Sequence, residues 1–475
     1  MEATSARFPA NARAALGDGD LRAALAKLQR EYRRDRAAVA DRLPEFDALR
    51  DAAAAIKDHA LDHLAFYLER FEERVVAQGG RVHWCRDAAE ACETVLAICR
   101  AEGATAVGKG KSMISEEIGL NSFLEKNGIA PVETDLGEYI VQQRGEAPSH
   151  IVMPAIHLNA GQIADGFRAA HGDLDPARVL DGPDALLAEA RTRLRDRFLS
   201  AEIGITGANF LVAETGSVVL VTNEGNGDLT HTLPRVHIAL ASIEKVVPTI
   251  DDAMALVRVL ARSATAQEIT SYTSLVTGPA RAGDADGPRA FHVVLLDGGR
   301  SRLLGSERRA ILRCIRCGAC QSQCPVYGHV GGHAYGWVYA GPVGAVLTPA
   351  LLGIRAAKHL PAASTFCGRC EEVCPVRIPL PALMRSWREE AFARRAGSAT
   401  ERALLTLWGA VVRRPALWRA LVGPVSHALA FCARRTGVYR ALPLAGGWTG
   451  ARDMPAPEGG SFVAAWARAR KAKAP

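Results

Sequence analysis

The sequence predicts an α/β domain on a largely parallel sheet, followed by a helical module rich in clustered cysteines. Three observations lead there. Strand-like apolar runs alternate with helical stretches up to about residue 298, β-forming segments nearly vanish from Ser301 on, and seven of the 11 cysteines fall between Cys314 and Cys374. A chain of 475 residues, 48% of them apolar, has the length for two or three domains and the composition for a sizeable core.

The elements follow in order. LRAALAKLQREYRRDRAAVADRL and ALRDAAAAIKDHALDHLAFYLERFEERVVAQ carry apolar positions at helical spacing, and the helical stretch ends at Gly79–Gly80. ETVLAICRAEG reads as helix, TAVGKG as strand and turn, and SEEIGLNSFLEKNG as a helix closed by Gly128. PVETDLGEYIVQQ and SHIVMPAI suggest further strands, and FLVAETGSVVLVTNEG suggests two β-rich runs across a Thr–Gly–Ser turn. KVVPTI and FHVVLLD close the pattern. The expected organisation is an N-terminal helical segment at 1–68, an α/β domain at 69–298, a helical cysteine-rich module at 299–390 and a basic region at 391–475.

The N-terminus has an early acid and no apolar run, so it does not read as a secretory signal. No stretch reaches the roughly 18 uninterrupted apolar residues of a membrane span. The best candidates are broken by Pro342, Pro349 and Arg413–Arg414–Pro415. The cytoplasm is the expected compartment. The net charge of +7 is uneven: from Glu401 on, 12 Lys/Arg face 3 Asp/Glu, leaving +9 there and about −2 elsewhere. Such a tail, with Trp408, Trp418 and Trp448, suits a solvated helical surface, an acidic partner or peripheral contact with the inner face of the cell membrane. No nucleic-acid partner is expected.

Close-spaced cysteines in a non-secreted chain point to metal rather than disulfides. Cys314, Cys317, Cys320 and Cys324, followed by Pro325, spell C-x2-C-x2-C-x3-C-P, the spacing of bacterial ferredoxin [4Fe–4S] runs. Three thiolates on one tight loop can wrap one cube, while the fourth, before the proline, points to the other cluster. A second run places Ser364 where the first cysteine stands, then Cys367, Cys370 and Cys374 before Pro375. By the crossing rule, Cys314, Cys317, Cys320 and Cys374 hold one cluster and Cys324, Cys367 and Cys370 the other. Two [4Fe–4S] clusters are expected, the second with three cysteine ligands. Its remaining iron is left to Ser364, to water, another residue or substrate, or to loss as [3Fe–4S]. Zinc explains neither the third cysteine at x2 spacing nor the two Cys–Pro endings. Cys92 and Cys99, seven apart on an expected helix, read as core residues. The 39 residues from Pro325 to Ala363 are apolar and glycine-rich enough to pack over clusters, with His333 either a donor to a cluster sulfur or satisfied in a turn.

CIRCGACQSQCPVYGHVGGHAYGWVYAGPVGAVLTP and CGRCEEVCPVRIPLP closely resemble the lactate-utilisation iron–sulfur protein (LutB/LldF) family. GKSMISEEIGLN, GITGANFLVAETGSVVLVTNEGN and SATAQEITSYTSLVTGP resemble that family's LUD domain. The likeness is strong over about 70–385, and the absent first cysteine of the second run is usual in the family. It implies an open-sheet α/β fold similar to sugar-phosphate isomerases (NagB, RpiA) and CoA transferases, followed by an α-helical ferredoxin-like domain. It also implies an electron-transfer subunit in the oxidation of L-lactate to pyruvate, rather than a complete enzyme alone. Its expected companions are a Cys-rich iron–sulfur subunit, a second LUD protein and a respiratory electron acceptor. The family's cluster ligands carry over onto Cys314, Cys317, Cys320 and Cys374, and onto Cys324, Cys367 and Cys370. The competing reading is a ligand-binding or redox-sensing protein whose clusters are regulatory.

Weaker candidates lie in the α/β segment. GKGKS at 108–112 suggests an anion site but lacks the phosphate-loop spacing. Glu214 is a candidate carboxylate beside a turn, with simple hairpin geometry as the competing reading. The loop 223–237 could line a small-acid site, with Arg235 as the clamp. No hydrolase triad and no zinc-protease motif is recognisable, and no G-x-G-x-x-G follows a strand.

Overall fold

Strands whose side chains are buried on both faces form the centre of the first of two compact units, which divide between Ala391 and Phe392 in the computed structural model. Residues 3–442, 446–449 and 452–471 are described. The strands of the first unit are β1 (Arg81–Cys85), β2 (Ala106–Lys109), β3 (Ala130–Glu133), β4 (Ile203–Thr206), β5 (Phe210–Val212), β6 (Ser217–Thr222), β7 (Val236–Ser242), β8 (Val246–Val247), β9 (Tyr272–Val276) and β10 (Ala290–Leu296). Six pair in parallel in the order β1-β10-β7-β4-β2-β3. Helices cover this sheet. One of them, Ala88–Ala101, turns Cys92 and Cys99 into the core, as the sequence suggested.

A second sheet, β8-β5-β6-β9, lies outside the sequence reading. β5 and β6 form the hairpin expected across Thr215–Gly216–Ser217. Gly216 (φ +73°) is required there, because a Cβ would stand 2.6 Å from the Val75 amide nitrogen.

Two segments expected as strands differ: PVETDLGEYIVQQ opens in β3 but then turns helical, and SHIVMPAI forms no strand. Residues 136–143 form a helix, because the Asp135 side chain caps it by accepting from the Glu138 amide. SHIVMPAI at 149–156 forms turns. Its backbone is used by the cysteine module instead: the Ser149 carbonyl accepts from the Tyr327 hydroxyl (2.9 Å), and the Ile151 amide donates to Gln321 Oε1 (3.3 Å). All regular structure from Arg300 to Ala393 is helical.

The N-terminal helices are Phe8–Gly17, Gly19–Asp41, Phe46–Asp62 and Leu64–Ala77. The second unit holds the helices Ala399–Val412, Pro415–Cys432 and Phe462–Lys471, with a short antiparallel pair at Val438–Tyr439 and Met454–Pro455. Among the described residues, no helix is long and apolar enough to cross a membrane.

The α/β sheets and the cysteine module are joined by buried charge. Arg300 is fully buried, with Nη2 2.7 Å from Glu117 Oε2 and Nε 3.0 Å from Glu244 Oε2. The Tyr339 hydroxyl donates to Glu117 (2.6 Å), and Arg316 meets Glu244 at 3.2 Å. Burial alone would raise Glu244, but the guanidiniums of Arg300 and Arg316 bring it down to about 2.

Arg300→Met leaves two buried carboxylates short of their counter-charge and lowers the unfolding free energy by about 3–5 kcal/mol, measured by denaturant unfolding. The depressed Glu244 contributes stability that is present above the ordinary carboxylate range and lost as pH falls toward about 2. The melting advantage of the native chain over Glu244→Gln therefore shrinks across that acid window.

Candidate metal centre

The two cysteine runs repeat one backbone design at an offset of 50 positions. Arg316 (φ +59°) and Phe366 (φ +52°) each take the left-handed conformation ahead of a cysteine, then Gly318 (+71°) and Gly368 (+80°) do so after it. Each glycine opens a short helix, Ala319–Gln323 or Arg369–Glu372, and Cys324–Pro325 or Cys374–Pro375 follows. A non-glycine left-handed residue costs roughly 1–3 kcal/mol, which the surrounding packing must offset. Gly318 also permits close approach, since a Cβ would meet His150 Cε1 at 2.9 Å.

Helices from the start of the chain hold both Cys–Pro turns. Gln29 Nε2 donates to the Cys324 carbonyl (2.7 Å) and Arg33 Nη2 to that of Gln323 (3.1 Å). At the matching places of the second run, Arg36 Nη2 donates to the Val373 carbonyl (2.8 Å) and Arg50 Nη2 to that of Cys374 (2.8 Å). Arg36 and Arg50 are buried. Sequence reasoning missed all four. Gln29, Arg33 and Arg36 do share one helix face at i, i+4, i+7, but within LQREYRRDR they look like a solvated polar run.

The sulfurs sort into two cavities. Cys314, Cys317, Cys320 and Cys374 line one, walled also by Ile151 and Arg316. Cys324, Cys367 and Cys370 line the other, with Ser364, Thr365 and Phe366. Charge coupling follows the same division: Cys317 feels Cys374 and Cys314, Cys370 feels Cys324 and Cys367, and Cys320 also feels Cys370 across the gap. Burial and these neighbours push Cys317 and Cys370 up to about 12. Burial takes Cys374 to about 11, although its sulfur accepts from the Ile378 amide (3.3 Å). Crowded, buried thiols of this kind become thiolates only around a cationic core, and sulfur donors at this spacing suit iron. The residues fit the group.

The two cavities differ in surroundings. Arg316 walls the four-cysteine side, and burial lowers the nearby Lys57 to about 8 against Glu244 and Cys314, which raise it. Cys367, in the other cavity, is exposed. Against the burial that would raise it, hydrogen bonds from the Thr365 hydroxyl and the Arg369 amide hold Cys367 below its ordinary value. Ser364 Oγ accepts from the Phe366 amide (3.1 Å) at the place of the missing cysteine.

The weaker candidates divide, since Gly110, Lys111 and Ser112 of GKGKS line one cleft with Asn223, Glu224, Asn226 and Gly227 of the polar loop, while others are paired or exposed. Lys109 of GKGKS is fully buried between Glu133 (2.7 Å) and Glu116 (3.1 Å). Glu214 is exposed and accepts from the Ile250 amide (3.1 Å), so the plain structural reading holds. Arg235 is exposed and lines no site, its carbonyl taken by the Arg289 amide. His333 bonds the Ala147 carbonyl (2.7 Å) and packs edge-on against His157, and it lines neither sulfur cavity.

A parallel-sheet α/β domain carrying a helical module with paired ferredoxin-type cysteine runs defines a class of iron–sulfur protein. Residues 68–296 match the LUD domain family and residues 310–378 the 4Fe-4S dicluster domain family. Lactate utilization protein B of Shouchella clausii is 41% identical over 99% of this chain and 98% of its own. An uncharacterized electron transport protein of Escherichia coli is 40% identical over 97% of this chain and 96% of its own. A crystal structure of a DUF162 family protein from Deinococcus radiodurans, 15% identical, covers 49% of this chain and 98% of its own at a TM-score of 0.27, too low to argue from. The chain belongs to the lactate utilization protein B family.

Arg50→Ala strips donors from the carbonyls of Glu372 and Cys374. It lowers stability by about 1–3 kcal/mol and speeds iron loss from the purified protein. Arg34→Ala, on the exposed side of the same helical region, changes stability by no more than about 0.5 kcal/mol.

Proposed function

We propose that this chain is the iron–sulfur electron-transfer subunit of a multi-subunit complex that oxidises L-lactate to pyruvate in the cytoplasm. The observation that carries the reading is the sorting of seven cysteines into a set of four and a set of three around neighbouring cavities, in a chain alike over nearly its whole length to lactate utilization protein B. Cys314, Cys317, Cys320 and Cys374 hold one [4Fe–4S] cluster. Cys324, Cys367 and Cys370 hold a second, whose cavity Ser364 also lines. When bound, such clusters take up and release electrons one at a time. None of the four cysteines of the first site is exposed and Arg316 walls it, whereas exposed Cys367 brings the three-cysteine site to the surface. That asymmetry suits an inner carrier beside an outer one that faces a partner.

The companions are a Cys-rich iron–sulfur subunit and a second LUD protein, with a respiratory acceptor beyond them. In the second unit, Leu404, Trp408, Leu421 and Phe431 are exposed on helices that also carry arginines. Such a surface suits docking on a companion subunit or on the inner face of the membrane.

Anaerobic iron and sulfide counting with electron paramagnetic resonance tests the reading: about eight irons per chain are expected for two cubes, and about seven for a [3Fe–4S] centre on the Ser364 side. Zinc in place of iron, or lactate oxidation by this chain alone, overturns it. Cys374→Ala abolishes the signal of the four-cysteine centre first. Lys57→Met removes a buried positive charge and lowers that centre's midpoint potential relative to the other, read by redox titration.

A further inference from the structure

One cleft is absorbed by neither cysteine cavity. It measures about 380 Å³, within the usual span of ligand pockets, and opens beyond the carboxyl ends of β2 and β4. From β2 the chain runs to β3 on one side, and from β4 it proceeds to β7 on the other, so the cleft sits where the strand order reverses. Open parallel sheets gather their ligands at such a reversal.

Two lysines in this cleft lack a carboxylate in direct contact among the described residues. Lys111, Lys245 and Arg316 supply three cations. The lysine ammoniums rest on the carbonyls of Val152 and Ala208, and neither lysine forms an ion pair among the described residues. The two carboxylates in the wall are already engaged by backbone amides: Asp135 by Glu138, and Glu224 by Leu136 (3.3 Å). Arg316 is buried, its Nη2 on Glu244 and its guanidinium 5.0 Å from the centre of the Tyr339 ring, and among the described residues its Nε and Nη1 have no hydrogen-bond partner. Two donors of a buried guanidinium left unmade are costly, which points to an anionic acceptor. Ile151 and Arg316 wall both this cleft and the four-cysteine cavity, so a ligand here lies one side chain from that centre.

We propose that this cleft binds a small organic acid, its carboxylate met by Lys111, Lys245 and Arg316 against the wall shared with the four-cysteine cavity. The acid's identity as a 2-hydroxy or 2-oxo acid rests on the proposed role in lactate oxidation, whereas the cleft and its charge do not. Binding places a negative charge beside the four-cysteine centre and so lowers its potential, leaving the three-cysteine centre unchanged.

The test uses the full chain purified anaerobically with its iron, titrated with L-lactate, pyruvate and inorganic phosphate by calorimetry, with paramagnetic resonance at each endpoint. Lactate or pyruvate should bind and shift the signal of the four-cysteine centre alone. Lys245→Met and Lys111→Met should each weaken binding about tenfold or more at unchanged iron content, and Arg235→Ala should leave it unaltered. The proposal is overturned by intact cluster signals with no binding of either acid, by affinity unchanged in both lysine variants, or by phosphate binding as well as the acids. Acid binding that depends on Lys245 in a chain without cluster signals would support the cleft and instead sink the electron-transfer reading.

Discussion

Four side chains from the first 50 residues, set on the carbonyls of two Cys–Pro turns, are the constraint on which the rest depends. Gln29 and Arg33 fix the first turn, Arg36 and Arg50 the second. The Cys324 carbonyl accepts from the Gly328 amide (2.9 Å) and that of Cys374 from the Arg377 amide (3.3 Å), and the side chains add a further donor to each buried turn. Guanidinium donors do so with charge-assisted strength. Pinning both turns to one pair of helices also fixes the distance between them. The last sulfur of each run can therefore stand in the cavity lined by the other run's cysteines.

Charge organises the next layer outward. Arg300 sits between Glu117 and Glu244, and Glu244 also meets Arg316 from the cysteine module. Lys57 adds its ammonium to the Glu244 carbonyl. The cations in this buried group outnumber its carboxylates, an arrangement that is stable only if anions stand on its far side. Thiolates around a cluster supply negative charge there. The same electrostatics that joins the sheets to the module thus depends on what the module holds.

The cysteine chemistry was legible in the sequence because its ligands lie close along the chain, where a tight loop translates spacing directly into geometry. The β5–β6 hairpin was legible for the same local reason. GEYIVQQ and SHIVMPAI misled because β-branched residues signal burial rather than a strand. The first became a capped helix, and the second wraps the module. The loop 223–237 does reach a cleft through Asn223, Glu224, Asn226 and Gly227, but the cations there are Lys111, Lys245 and Arg316 rather than Arg235. Which arginine of LQREYRRDR is buried is decided by residues some three hundred positions away, and no local pattern encodes that.

The doubled backbone design has a consequence for how the protein is made. The four-cysteine cavity lacks a wall until Cys374 has been synthesised, and Arg50, its clamp, precedes that residue by 324 positions. The clamp helices can settle on the sheet domain, where the Tyr32 hydroxyl donates to the Ser263 carbonyl, while Arg36 and Arg50 still await the second turn. A message truncated between the two runs yields a sheet with half a socket. Such a chain keeps the clamp arginines but lacks three of the seven clustered cysteines.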